Sequence, residues 1–138
     1  MLPLMFAALL AASPAGTSAD TVVGLWKTQT RNGTVSVQKC GASICGTIVT
    51  SDLLKQHPDQ KDVLNKDETK RGRVLKGLTI LSGFHQDDGG VWSDGQVYNP
   101  DDGRTYSGKI TPVDANHLKL RGCVFVPLCK TETWTRVR

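Results

Sequence analysis

Apolar and polar residues alternate along most of this chain. In Thr34-Val-Ser-Val-Gln38, Val35 and Val37 fall on one face. In His117-Leu-Lys-Leu-Arg121, Leu118 and Leu120 share a face while Lys119 and Arg121 take the other. Thr131-Glu-Thr-Trp-Thr-Arg-Val137 puts Glu132, Trp134 and Arg136 together. A period of two marks a half-buried β-strand, because successive side chains leave opposite faces of the pleat. Segments 22–29, 44–50, 78–84, 91–98 and 104–111 read as further strands, about eight in all.

Turn chemistry separates these strands. Asn32-Gly33 is a two-residue hairpin signal, since both residues tolerate positive φ. Gly41-Ala42-Ser43, Asp88-Gly89-Gly90, Asp101-Asp102-Gly103 and Asp114-Ala115-Asn116 mark later reversals. Short connections make neighbours in sequence neighbours in space. The fold class is therefore all-β, and the simplest closed arrangement is a small antiparallel up-and-down barrel. One connection breaks the rhythm. Residues 51–73 are polar, contain His57-Pro58, and offer at most a short helix over 59–65. Loops of that length are often lids over a site. Lys70-Arg71-Gly72-Arg73 ends this one with a basic cluster, in which Arg71 and Arg73 are candidate ligand contacts.

The N-terminus differs from the rest. Residues 1–19 carry no Asp, Glu, Lys or Arg, and an apolar run to Ala12 gives way to small residues ending in Thr17-Ser18-Ala19. That order reads as a secretory signal peptide over 1–19, followed by one domain over 20–138, in a periplasmic or secreted protein. The start lacks the usual Lys or Arg. After residue 20 no apolar stretch approaches the roughly 20 residues of a membrane span. Export changes the reading of Cys40, Cys45, Cys123 and Cys129, an even set that favours disulfides. The local pairings Cys40–Cys45 and Cys123–Cys129 each bracket a turn. Other pairings stay open, as does a four-cysteine zinc site, although these spacings are wider than a zinc knuckle's.

Several strings then line up in order: Gly24-Leu-Trp26, Lys39-Cys-Gly-Ala-Ser-Ile-Cys-Gly-Thr-Ile-Val49, Arg71-Gly-Arg-Val-Leu-Lys-Gly-Leu78, the run from Trp92 to Tyr106, Leu120-Arg-Gly-Cys123 and Thr133-Trp-Thr-Arg136. The set resembles the exported bacterial family catalogued as domain of unknown function 2147. That resemblance implies a small periplasmic or secreted barrel of lipocalin-like, or calycin-like, shape with no assigned activity. Asn65-Lys-Asp-Glu68 departs from the Asn-Pro-Asp-Pro-like string the family often shows. In an up-and-down barrel the first and last strands pair, which brings Arg136 towards the ring of Trp26, with Arg138 as the alternative cation. Gly24, Trp26 and Arg136 also resemble the closing signature of lipocalins, a structural plug for one end.

Candidate chemistry is sparse. His57, His85 and His117 are dispersed, so no metal motif forms, and there is no nucleophile elbow or phosphate loop. The reading is a non-catalytic protein with no cofactor. With 17 Lys+Arg against 13 Asp+Glu the net charge is +4, too weak and too interspersed with acidic turns to indicate nucleic acid. An eight-stranded barrel has room for packed side chains or one small ligand. The expectation is a monomer binding a small apolar or amphipathic ligand at the open end, near Trp92, Tyr98 and Tyr106 and under the 51–73 loop. The alternative is an envelope protein partner, met through that loop and the Cys40–Cys45 hairpin.

Overall fold

The computed structural model describes residues 19–138. Residues 1–18, and with them nearly all of the expected signal peptide, lie outside the described part. Nine strands run in chain order: β1 (Gly24–Lys27), β2 (Thr34–Cys40), β3 (Ser43–Thr50), β4 (Thr79–Ser82), β5 (His85–Gln86), β6 (Trp92–Asn99), β7 (Arg104–Asp114), β8 (His117–Phe125) and β9 (Leu128–Arg136). One short helix, α1 (Asp52–Gln56), follows β3. Single 3-10 turns stand at Ala19–Thr21 and Glu68–Lys70.

Every pairing is antiparallel; consecutive strands pair except β4 with β5, and two pairings join strands that are not consecutive in sequence. β1 meets β9 through Trp26↔Arg136 and Lys27↔Thr135. β4 meets β6 through Leu81↔Val97 and Ser82↔Gln96, which closes the sheet into a barrel. β5 continues along the same edge of β6 through His85↔Ser93 and Gln86↔Trp92. β4 and β5 are therefore one strand broken at Gly83, whose φ is +73°. Phe84, 1% exposed, turns into the core at this break. Gly95 on β6 gives it room, since a Cβ there would collide with the Phe84 ring. The closed barrel thus has eight strands.

Alternation decides what lies inside. Val35 and Val37 of β2, Leu118 and Leu120 of β8 and Trp134 of β9 are all buried, and join Trp26, Ile44, Leu81, Trp92 and Ile110 in one core. Burying each such side chain contributes about 1.5–3 kcal/mol relative to exposure.

Two local details differ from the sequence reading. In the β1–β2 hairpin the positive φ values fall on Arg31 (60°) and Asn32 (52°), one residue earlier than Asn32-Gly33. Gly33 is instead pressed against Thr28, where a Cβ would lie 2.6 Å from Oγ1. In the long connection the helix forms at Asp52–Gln56 rather than over 59–65. Ser51 caps it by accepting the Leu54 N–H at 3.2 Å, and Leu54 anchors it in the barrel. Residues 59–65 instead run through turns on either side of a single bridge between Lys61 and Val74.

Candidate functional site

The two ends of the barrel are unlike. At one, the chain before β1 folds underneath, and Val22 and Trp26 are fully buried. The Trp26 indole N–H donates to the Val22 carbonyl at 2.8 Å. The Arg136 guanidinium lies over the Trp26 ring, 4.4 Å from its centroid. It also donates to the carbonyls of Val23 (2.8 Å), Thr21 (3.0 Å) and Ala115 (2.6 Å). Gly24 has φ +142°, and a Cβ there would sit 2.5 Å from Arg136 Nη1. Arg138 contributes main chain only at this seam, its carbonyl accepting the Leu25 N–H at 2.8 Å.

At the other end a cavity of about 660 Å³ enters the barrel. Its walls are apolar at depth, with Val35, Ile48, Leu54, Leu75, Ile80, Val97 and Leu120. Tyr98, Tyr106 and Trp134 add aromatic surface, and Arg31, Asp101, Asp102, Lys130 and Glu132 supply charge. Two polar groups on this wall are unengaged. The indole N–H of Trp134, which is 3% exposed, has no hydrogen-bond partner among the described residues. Glu132 lies on the same inward face one step nearer the mouth, half-buried. It has no hydrogen-bond or ion-pair partner among the described residues either. A ligand with an acceptor and a donor a few ångströms apart would satisfy both groups.

The two tyrosines are fixed differently. Tyr98 donates its hydroxyl to Asp62 Oδ1 at 2.5 Å. Asp62, 1% exposed, also accepts from Asn65 Nδ2 (2.8 Å) and pairs with Arg73 Nη2 (3.2 Å). The Arg73 guanidinium stands 5.6 Å from the Tyr98 ring centroid. Burial, and next the hydrogen bond to Asp62, push the Tyr98 phenol well above its ordinary 10.0. Tyr106 donates to Asp102, and that bond, with burial behind it, raises its phenol as well. Arg71 donates from Nε to the Asn65 carbonyl at 2.8 Å. Arg71 and Arg73 thus fasten the long connection and do not line the cavity.

Of the expected aromatic set, Tyr98 and Tyr106 are brought together on the cavity wall and Trp92 is not. Trp92 is 2% exposed at the far end of β6. It is six residues from Tyr98 on that strand, roughly 20 Å away. The third aromatic of the wall is Trp134, which the alternation of β9 had already paired with Glu132. Asp62 gave no sign in its polar string. Both disulfides are the local ones, Cys40–Cys45 and Cys123–Cys129, and no free cysteine is present. Among the described residues no group of three or more His, Cys, Asp or Glu is placed to hold a metal ion. No described helix is long and apolar enough to cross a membrane.

A closed eight-stranded meander, plugged at one end and hollow at the other, is a lipocalin-like barrel. The chain belongs to the bacterial family of uncharacterised conserved proteins designated DUF2147, whose profile matches residues 24–136. A solved structure, Protein HP1028 from the human pathogen Helicobacter pylori, described as belonging to the lipocalin family, is similar in fold. Its TM-score is 0.75 at 22% identity, over 84% of this chain and 82% of that one. No curated protein matches.

Proposed function

We propose that the protein is a non-catalytic binder of one small apolar or amphipathic molecule, held in the open end of the barrel. The observation that carries this reading is the cavity itself: about 660 Å³, apolar at depth, with the Trp134 N–H and the Glu132 carboxylate left without protein partners. Ligand sites of this kind are mostly apolar, with a few placed polar groups that fix orientation. In this reading Tyr98 and Tyr106 are wall residues, while Arg71 and Arg73 act indirectly by fixing the segment beside them. The protein works outside the cytoplasm, in the periplasm or secreted, with residues 1–19 as the removed signal. Two disulfides support that compartment. It acts as a monomer, because barrel closure leaves no long unpaired edge to recruit a second copy.

Gly122 gives the test. It lies on the cavity wall, and a Cβ there meets only Tyr106, at ordinary distances of 3.4 Å to its Cβ and 3.8 Å to its Cγ. Gly122→Phe therefore has room at its Cβ and is designed to send its ring into the cavity, with its melting temperature checking that the barrel is intact. Wild-type protein and Gly122→Phe are titrated with fatty acids, lysophospholipids and an anilinonaphthalene fluorophore. Saturable binding by the wild type that raises its melting temperature, absent from an equally stable variant, supports the reading. A ligand at 100 times its Kd adds about 2.7 kcal/mol. No binding by either protein, or equal binding by both, refutes it.

A second reading has its own observation. Val63 and Leu64, 56% and 53% exposed, present apolar surface on the long connection. A protein partner would meet this segment alone. The Cys40–Cys45 hairpin lies at the opposite end of β2 from the mouth, so one contact does not take both. Val63→Ser/Leu64→Ser abolishes capture by an envelope partner in this case and leaves ligand binding intact.

A further inference from the structure

The tip of the β8–β9 hairpin is apolar and exposed. Val124, Phe125, Val126 and Leu128 are 58%, 61%, 74% and 57% exposed, the densest run of large apolar surface among the described residues. Such a patch on a small protein marks a contact with something else. The tip is a shaped element. The last register pair between β7 and β8 is Ser107↔Cys123, and beyond it the hairpin pairs only with itself, through Phe125↔Leu128. The Cys123–Cys129 disulfide ties its base.

Charge behind this tip is predominantly basic, and Glu132, two residues beyond Lys130 on the same face, is the one acid on these two strands. From His117 to Thr131 the hairpin holds Lys119, Arg121 and Lys130 and no Asp or Glu. Arg121 is exposed and reaches towards the tip, its Nη2 lying 3.3 Å from Cys129 Sγ. Lys130 follows Cys129 directly and is exposed at the mouth of the cavity. The acids of the neighbouring β6–β7 turn are engaged: Asp101 pairs with Arg31 at 3.2 Å, and Asp102 accepts from Tyr106 and from the Arg104 N–H. Leu53 of α1, 42% exposed, adds one more apolar side chain to the same rim.

We propose that this hairpin is a membrane-docking wedge, which seats Phe125, Val126 and Leu128 below the headgroups of an anionic bilayer with Arg121 and Lys130 at the phosphates. A narrow protruding tip offers little area for a protein partner, whereas insertion into a bilayer requires only apolar surface backed by cations. Each cation near an anionic surface contributes about fivefold to binding. The docked orientation sets the cavity mouth against the membrane, where an apolar ligand would enter or leave. The docking itself does not rest on the cavity being occupied.

The experiment is flotation of the protein with phosphatidylcholine vesicles containing or lacking phosphatidylglycerol. Wild type is expected to float with the anionic vesicles. Phe125→Ser/Val126→Ser is expected to lose at least about tenfold in binding at an unchanged melting temperature, from the apolar area withdrawn. Arg121→Gln/Lys130→Gln is expected to lose about 25-fold on anionic vesicles and little on neutral ones. In Phe125→Trp, brominated acyl chains are expected to quench the added indole's emission, which reports its depth. Absence of flotation, or equal flotation of wild type and the serine variant, overturns the proposal. So does a dimer in light scattering that the serine variant abolishes while neither protein floats, which would assign the tip to a second copy. The Gly122→Phe variant floats like wild type if docking is independent of cargo, so failure here and failure of the ligand reading are told apart.

Discussion

Asp62 shows how one buried carboxylate organises a polar segment. Its oxygens receive the Tyr98 hydroxyl, the Asn65 amide and the Arg73 guanidinium. Asp62→Ala leaves the phenol and the guanidinium without their acceptor. The variant is expected to lose about 3 kcal/mol in chemical denaturation, the lower end for breaking a buried pair. Arg73, with 39% of its side chain exposed, recovers water and so limits the loss. The same contact sets a pH dependence. Tyr98 and Tyr106 are the chain's two tyrosines, and both phenols are held above 10.0 in the fold. A raised phenol favours the neutral, folded state. That stability is complete below the unfolded value of about 10 and is lost as pH rises through the folded values. Phenolate absorbance is therefore expected to appear together with alkaline unfolding in the wild type. In Asp62→Ala it should appear earlier, while the protein is still folded. Phenolate that develops near pH 10 in intact wild-type barrel would contradict the assignment. Asp62 was illegible in the sequence because its burial depends on a partner 36 residues away.

At the scale of elements, strands and turns were legible because their signals are local. Period-two runs placed β2, β8 and β9. The further strand candidates overlapped β1, β3, β4, β6 and β7 while β5 fell outside them, and cysteines flanking turn residues paired as adjacency favours. What local pattern could not decide was which end of each strand faces the open mouth. Trp92 and Trp134 are both inward-facing indoles, yet the cavity reaches only Trp134. The deciding contact is the segment before β1, which folds under one end and leaves the other hollow. The two disulfides lie at these opposite ends: Cys40–Cys45 at the far end of β2 from the cavity, and Cys123–Cys129 beside it. Their sequence separations are 5 and 6, so each constrains the unfolded chain by about 2 kcal/mol. With no shared partners their removal should be additive. Cys40→Ser/Cys45→Ser and Cys123→Ser/Cys129→Ser are each expected to lose about 2 kcal/mol, and the fourfold variant about 4 kcal/mol. A fourfold loss well beyond the sum would mean that the hairpins cooperate across the barrel.

For the whole molecule the controlling feature is closure. Most neighbouring strands share long ladders, such as the pairs from Ser107↔Cys123 to Asp114↔His117 between β7 and β8. The β1–β9 seam has two register pairs, Trp26↔Arg136 and Lys27↔Thr135. Main-chain bonds at its lower end extend it: Val137 N–H to the Leu25 carbonyl and Leu25 N–H to the Arg138 carbonyl, both at 2.8 Å. The rest of the seam is the Arg136 side chain, which joins the Trp26 ring to three carbonyls from two other segments. Bonds to a charged donor contribute about 1.5–3 kcal/mol apiece when buried. Exposure on one side of this group brings Arg136→Ala to an expected loss of about 2–4 kcal/mol, with a cation–π share of about 0.5–2 kcal/mol. Arg136→Lys keeps the charge but lacks the planar fork that reaches Val23 and Thr21 together, so it should recover only the smaller part. Native-state hydrogen exchange separates a seam defect from general weakening. In Arg136→Ala, amides of β1 and β9 should exchange through a low-energy local opening, while those of the β7–β8 ladder keep exchanging only with global unfolding. Uniform acceleration across all strands would show that the guanidinium stabilises the barrel as a whole and is not its clasp.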